Sequence, residues 1–181
     1  RILDFAGMSD RVGELYRRAT ERNPYDTLSY FNLSAWYHKR DQYDSALIIS
    51  DSVLKIDPDY PKANWMMGNI YAKFEEYSKA LPYLEKAFPY LADNVEFLYD
   101  LGISNYRTNH PDEAALCAKQ MVELAPDFPG GYHLLGLVNI QKGDLQGAQK
   151  AWQTIVELLP DDSTAIMNLK MLEEEMKRNK K

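Results

Sequence analysis

Residues 129–162 read PGGYHLLGLVNIQKGDLQGAQKAWQTIVELLPDD, and the residues standing 34 positions before each of them set the architecture. Stepping back from Pro160 reaches Pro126, Ala92, Pro58 and Pro24, a proline column with one replacement. From Ala148 the column is Ala114, Ala80, Ala46 and Val12; from Ile155 it is Met121, Ala87, Val53 and Ala19. Gly136, Gly102, Gly68 and Ser34 are small enough to let two backbones approach closely. No insertion or deletion breaks the register, so several independent columns agree on one period.

Each period divides into two helices. Leu98, Leu101, Ile103 and Tyr106 recur at helical intervals, as do Ala114, Ala115, Ala118, Met121 and Val122 after a break at Asn109, His110 and Pro111. Asp59, Asp93, Asp127 and Asp161 are predicted to cap the first helix of the unit that follows each, where free N–H groups favour a carboxylate. Pro61 and Pro129 fit early helical positions, which need no N–H. Pro82 is placed in a first turn for the same reason, and Pro89 near that helix's end is positioned to kink it.

Composition narrows the function. The chain has 181 residues, 45% hydrophobic and 27% charged, with 21 Lys and Arg against 27 Asp and Glu, a formal charge of -6. An acidic balance with pI near 5.1 argues against a nucleic-acid partner, which needs clustered positive charge. One cysteine, Cys117, permits no internal disulfide, and no apolar run is long enough to cross a bilayer. The expectation is a soluble chain with no membrane partner and a cytoplasmic default. Starting at Arg1 without a signal-like segment, it reads as a piece of a longer protein.

At these columns the chain resembles the tetratricopeptide repeat family, whose unit reads W-x2-L-G-x2-Y…A-x3-F…P. The clearest match is Tyr132, Leu135, Gly136, Asn139, Ala148, Trp152 and Pro160. The others are Tyr30, Leu33, Ser34, Tyr37, Ala46, Ser50 and Pro58; Asn64, Met67, Gly68, Tyr71, Ala80, Leu84 and Ala92; and Leu98, Leu101, Gly102, Asn105, Ala114, Ala118 and Pro126. Ser50 and Ala118 are small where the family is large, which is expected to loosen packing locally. The resemblance implies an all-α right-handed solenoid of helix-turn-helix repeats in one domain, 1–181. Its parts are a partial repeat over 1–26, full repeats over 27–60, 61–94, 95–128 and 129–162, and a capping helix over 163–178. In the partial repeat a truncated first helix holds Ile2, Leu3 and Phe5, and Asp10 to Arg22 supplies the second. The basic tail Lys177, Arg178, Lys180 and Lys181 closes the chain.

In such a solenoid the first helices line a concave surface. The resemblance places there Phe31, Trp65, Tyr99, His133 and Met167, flanked by Asn32, Met66, Asp100, Leu134 and Asn168 and by Ala35, Asn69, Ile103, Leu137 and Met171. Tyr106 stands on the same face, and Lys39, Lys73, Arg107 and Gln141 form a mostly basic edge. A groove of this kind takes a protein or peptide ligand with apolar anchors and acidic residues. Plainer readings stand beside it: Trp65 and Tyr99 as packing between units, the basic line as a solvated face, His133 as a neutral structural side chain. The Lys and Asn clamp of chaperone-tail binders is not assembled, since its places hold Phe31 and Ala35 in one unit and Trp65 and Asn69 in the next. Met66, Asp100 and Leu134 interrupt the asparagine ladder of the sugar-transferring kind.

Catalysis finds no constellation. His38, His110 and His133 have no ligand spacing, so neither metal nor cofactor is expected. Cys117 reads as buried and structural, Gly130 and Gly131 lack the strand a phosphate loop needs, and Asn32-Leu33-Ser34 is a sequon inside a helix. The reading is a noncatalytic interaction module, scaffold or adaptor. Its alternatives are a spacer or self-association domain and a substrate-docking domain of an enzyme whose catalytic part lies elsewhere.

Overall fold

The structure is a computed structural model describing residues 2–178, with side chains described from residue 10 onward. All regular secondary structure among these residues is helical. The elements are α1 (Ile2–Arg22), α2 (Thr27–His38), α3 (Tyr43–Ile56), α4 (Pro61–Lys73), α5 (Tyr77–Leu91), α6 (Val95–Arg107), α7 (Pro111–Leu124), α8 (Pro129–Gln141), α9 (Leu145–Leu158) and α10 (Ser163–Arg178). They fall into two compact units, Arg1–Tyr90 and Leu91–Lys181.

In the first unit the core is Leu33, Ala46, Val53, Ala63, Met67, Ile70, Ala80, Leu84 and Ala87, all buried. Its helices touch where the period puts small residues. A Cβ on Gly68 would lie 2.5 Å from Leu84 Cγ, so α4 and α5 meet at a distance that only glycine permits. At the equivalent place Ser34 carries a Cβ because its partner, Ser50, is small. Ser34 Oγ donates to the Ala46 carbonyl at 2.9 Å and is hydrogen-bonded to Ser50 Oγ at 2.7 Å. Packing at Ser50 is therefore not loosened: a buried hydrogen bond replaces apolar bulk. Buried Asn64, where the family carries tryptophan, ties down the preceding loop through Nδ2 to the carbonyls of Pro58 (3.0 Å) and Tyr60 (3.1 Å).

In the second unit Phe97, Leu98, Leu101, Ala114, Met121, Leu134, Val138 and Ala148 are buried. Above Gly102, Leu134 fills the space that small Ala118 leaves, its Cδ2 2.4 Å from where a Cβ would stand. The loosening expected at Ala118 is absent for that reason. Trp152 lies against Gly136 in the same way. A cluster of Ala148, Trp152, Ile155, Ala165 and Leu172 seats α10 on α9.

Several expectations are corrected. The truncated first helix does not form: α1 runs as one helix through Gly7, the place where later units turn. A separate helix of so few residues would not recover the cost of its nucleus, whereas continuing adds one hydrogen bond per residue. The side chains of Leu3 and Phe5, and the residues Lys180 and Lys181, lie outside the described residues. The capping column stands one residue later than expected, at Asp26, Asn94 and Asp162, which accept from Leu28 N (3.2 Å), Phe97 N (2.8 Å) and Ala165 N (2.7 Å). Pro82 sits five residues after Tyr77, past the first turn, and α5 continues unbroken through both Pro82 and Pro89. Their rings are exposed, so the carbonyls deprived of a donor, on Ser78 and Glu85, belong to residues that also face solvent.

Candidate functional site

The two remaining members of the capping column, Tyr60 and Phe128, precede α4 and α8 and make no side-chain cap. They pack instead. Tyr60 meets Phe31 with ring centroids 5.8 Å apart, and Phe128 meets Tyr99 edge-on at 6.2 Å. Thus Phe31 and Tyr99 of the aromatic column lean on the residue that opens the next unit's first helix, and Pro61 and Pro129, needing no N–H partner, make the lost cap tolerable.

Between α2 and α4, in the first unit, lies a cavity of about 360 Å³ lined by Phe31, His38, Lys62, Trp65, Met66 and Asn69. Phe31, Trp65 and Met66 supply an apolar floor. His38 Nε2 and Asn69 Oδ1 lie 3.0 Å apart in a hydrogen bond that closes one wall. The His38 ring rests edge-on against Tyr43 at 5.4 Å, which fixes its plane. Lys62 Nζ stands 6.0 Å above the Phe31 ring.

Of the residues predicted for this stretch, Phe31, Trp65, Met66 and Asn69 come together in the cavity. Asn32 and Ala35 are half-buried on α2 but do not line it. Lys39 is exposed at the C-cap of α2, and Lys73 lies 5.0 Å over the Tyr43 ring. A hydrogen bond with Tyr43 raises the Lys73 pKa, so this cation is engaged within the fold. His38 and Lys62 are the lining residues that column reasoning missed. Helical spacing from the aromatic column finds both: His38 is seven residues after Phe31 and Lys62 three before Trp65.

In the second unit Tyr99 is half-buried against Phe128, with Gly130 leaving room: a Cβ there would fall 2.5 Å from Phe128 and 3.1 Å from Tyr99. His133 is half-buried, and burial pushes its pKa down while the nearby Asp162 carboxylate opposes that shift. Leu137 packs on the cluster that joins α9 and α10. Asp100, Ile103 and Tyr106 are half-buried along α6, and Arg107 is exposed at its end. Met167 and Met171 are exposed one turn apart on α10.

The groups weighed for catalysis are placed too. Burial pushes the Cys117 thiol up to about 11, which keeps it protonated at neutral pH. His110 is exposed and hydrogen-bonded to Thr108 Oγ1 at 2.9 Å. Among the described residues no group of three His, Cys, Asp or Glu could hold a metal ion, and no helix is long and apolar enough to cross a membrane. Ser34 of the sequon is fully buried.

Comparison with known proteins gives the family. A family model described as YpiA-like, C-terminal tetratricopeptide repeats, matches residues 61–127. Those residues are tetratricopeptide repeats, and the chain has the tetratricopeptide fold. It is similar to the TPR repeat-containing protein YpiA of Bacillus subtilis (strain 168), 25% identical over 118 residues, covering 65% of this chain and 28% of that protein. It is also similar to anaphase-promoting complex subunit 7 of Dictyostelium discoideum, 26% identical over 151 residues, covering 83% of this chain and 26% of that one. The tetratricopeptide chain thus spans less than a third of these relatives' length. Among solved structures, YrrB, described as a TPR protein with an unusual peptide-binding site, superposes with a TM-score of 0.81 at 20% identity, covering 93% of this chain and 87% of that one. A crystal structure of MamA gives a TM-score of 0.75 at 18% identity, covering 89% and 94%. Both likenesses establish the fold, an all-α tetratricopeptide solenoid.

Proposed function

We propose that this chain is a noncatalytic interaction module that holds a segment of a partner polypeptide by seating an apolar side chain in the cavity between α2 and α4. The observation that carries this is the convergence of Phe31, Trp65 and Met66 on one hollow, with His38 Nε2 and Asn69 Oδ1 hydrogen-bonded to each other in its wall. A large apolar side chain entering it leaves those bonds intact and removes aromatic surface from water, the usual source of affinity at such anchors. The similar proteins YrrB, described as having a peptide-binding site, and anaphase-promoting complex subunit 7, named as a complex subunit, support a polypeptide ligand.

The test is Trp65→Ala measured beside Tyr99→Ala. Binding of a captured peptide is expected to weaken at least about tenfold for Trp65→Ala, within the range for an aromatic hot spot, with helical circular dichroism unchanged. If helicity falls instead, Trp65 is core packing and the reading fails.

Self-association is a second reading, and it rests on α1. Leu15 is 62% exposed and Val12 39% exposed on that helix, beside a hollow lined by Leu15, Arg18, Ala19, Glu21 and Arg22. Sedimentation of the chain and of Leu15→Glu separates the two readings: a dimer abolished by the substitution assigns this face to a second copy.

A further inference from the structure

The cavity between α2 and α4 has an electrostatic character opposite to that of the chain. The protein carries 27 Asp and Glu and a net charge of -6, yet neither α2 nor α4 contains a single carboxylate. Their charged residues are Lys62 and Lys73, with Lys39 at the C-cap of α2. These cations are not equivalent. Lys73 is hydrogen-bonded to Tyr43 and held over its ring. Lys39 and Lys62 are both exposed, and Lys39 stands outside the cavity lining. Lys62 lines the cavity, lies over Phe31, and forms no ion pair among the described residues. Asp57 and Asp26 act on the Tyr60 hydroxyl, Asp41 acts on Lys73, and Asp26 is further engaged by Ser29 Oγ at 2.5 Å.

His38 Nε2 and Asn69 Oδ1 are hydrogen-bonded to each other in the polar wall, and Lys62 is the lysine of the lining. Selection by charge then falls to Lys62. Resting on the reading of this cavity as an anchor site, we infer that the occupant is an acidic segment of a partner polypeptide: a large apolar side chain enters over Phe31, Trp65 and Met66, and a carboxylate one or two residues away pairs with Lys62. Lys62 is the specificity-determining residue, a role that sequence columns assigned to Lys39, Lys73 and Arg107. A basic segment meets repulsion from Lys62 at the mouth of the pocket, and a neutral one gains no attraction there.

The experiment selects from a phage-displayed library of random peptides against the full chain, then measures the enriched sequences as synthetic peptides by fluorescence anisotropy. The expected consensus pairs Leu, Phe or Trp with Asp or Glu. Lys62→Glu is expected to weaken these peptides about tenfold or more, and Lys39→Glu, the control outside the cavity, less than about twofold. Raising salt from about 0.05 M to about 0.5 M is expected to erase most of the difference between wild type and Lys62→Glu. An apolar consensus with no acidic preference, or Lys62→Glu binding like wild type while Trp65→Ala loses affinity, overturns the inference and leaves the anchor site standing. Enriched peptides indifferent to Trp65→Ala, or no enriched peptide at all, overturn both.

Discussion

Gly136 lies beneath the indole of Trp152, where a Cβ would stand 2.3 Å from Nε1. Helix propensity alone favours alanine there by about 1 kcal/mol, but the forced displacement of a buried ring costs about 1–3 kcal/mol or more. Gly136→Ala is therefore expected to lower the thermal midpoint and the urea midpoint. His133 adds a pH dependence. Because burial lowers its pKa, the unfolded chain takes up the proton at higher pH than the folded one. Stability is thus full above the ordinary histidine range and declines as pH falls from there towards the depressed folded value. His133→Gln is expected to flatten the change in melting temperature between about pH 7.5 and about pH 5.5, the window in which an ordinary histidine titrates. Cys117, 5% exposed with its pKa pushed to about 11, is expected to resist thiol reagents until the chain opens. Its labelling rate should rise with denaturant in step with unfolding.

At the level of helices and turns, one column escaped the sequence reading. Asp41, Glu75, Asn109 and Gly143 stand one period apart and all adopt positive φ, at 57°, 60°, 65° and 78°. Each turns the chain from the first helix of its pair into the second. Asp41, Asn109 and Gly143 are types that enter the left-handed region most readily, a signal that goes unnoticed when the columns are read for apolar and small residues; Glu75 is not of those types, and there the helix pair imposes the conformation. A side chain in that region costs about 1–2 kcal/mol, and glycine's greater loss of freedom on folding returns about 0.5–1 kcal/mol. Glu75→Gly is accordingly expected to stabilise by about 0.5–1 kcal/mol in urea unfolding, and Asn109→Gly to be near neutral because asparagine tolerates this region. The capping column was legible in kind but misplaced by one residue, because the loop keeps one more extended residue before α2, α6 and α10. At Tyr60 and Phe128 an aromatic contact displaced the cap, which no local propensity foretells.

For the molecule as a chain of periods, the consequence is modularity. Excising residues 95–128, one whole period, joins Asn94 to Pro129 in register, and the shortened chain is expected to keep its helicity per residue and a cooperative melt at lower temperature. Excising half a period leaves a first helix without its partner and should abolish the cooperative transition. Calorimetry and circular dichroism on the two deletions distinguish these outcomes.

Periodicity could carry the helix pairs, the buried columns and the aromatic line through Phe31, Trp65 and Tyr99 because each depends on which residue types recur, and recurrence is written in the chain. Whether an aromatic ring in that line seats a ligand or props the next helix depends on its neighbours. Trp65 borders a hollow while Tyr99 is covered by Phe128, though both occupy one column. Helical spacing puts Lys62 and His38 on the face of the aromatic line, but their columns, Leu28, Lys62, Glu96 and Gly130, and His38, Ala72, Tyr106 and Ile140, share no chemistry that marks them as lining a site. Contacts between side chains distant along the chain create a cavity and its charge, and a repeat specifies the backbone that brings them together without specifying what each copy places there.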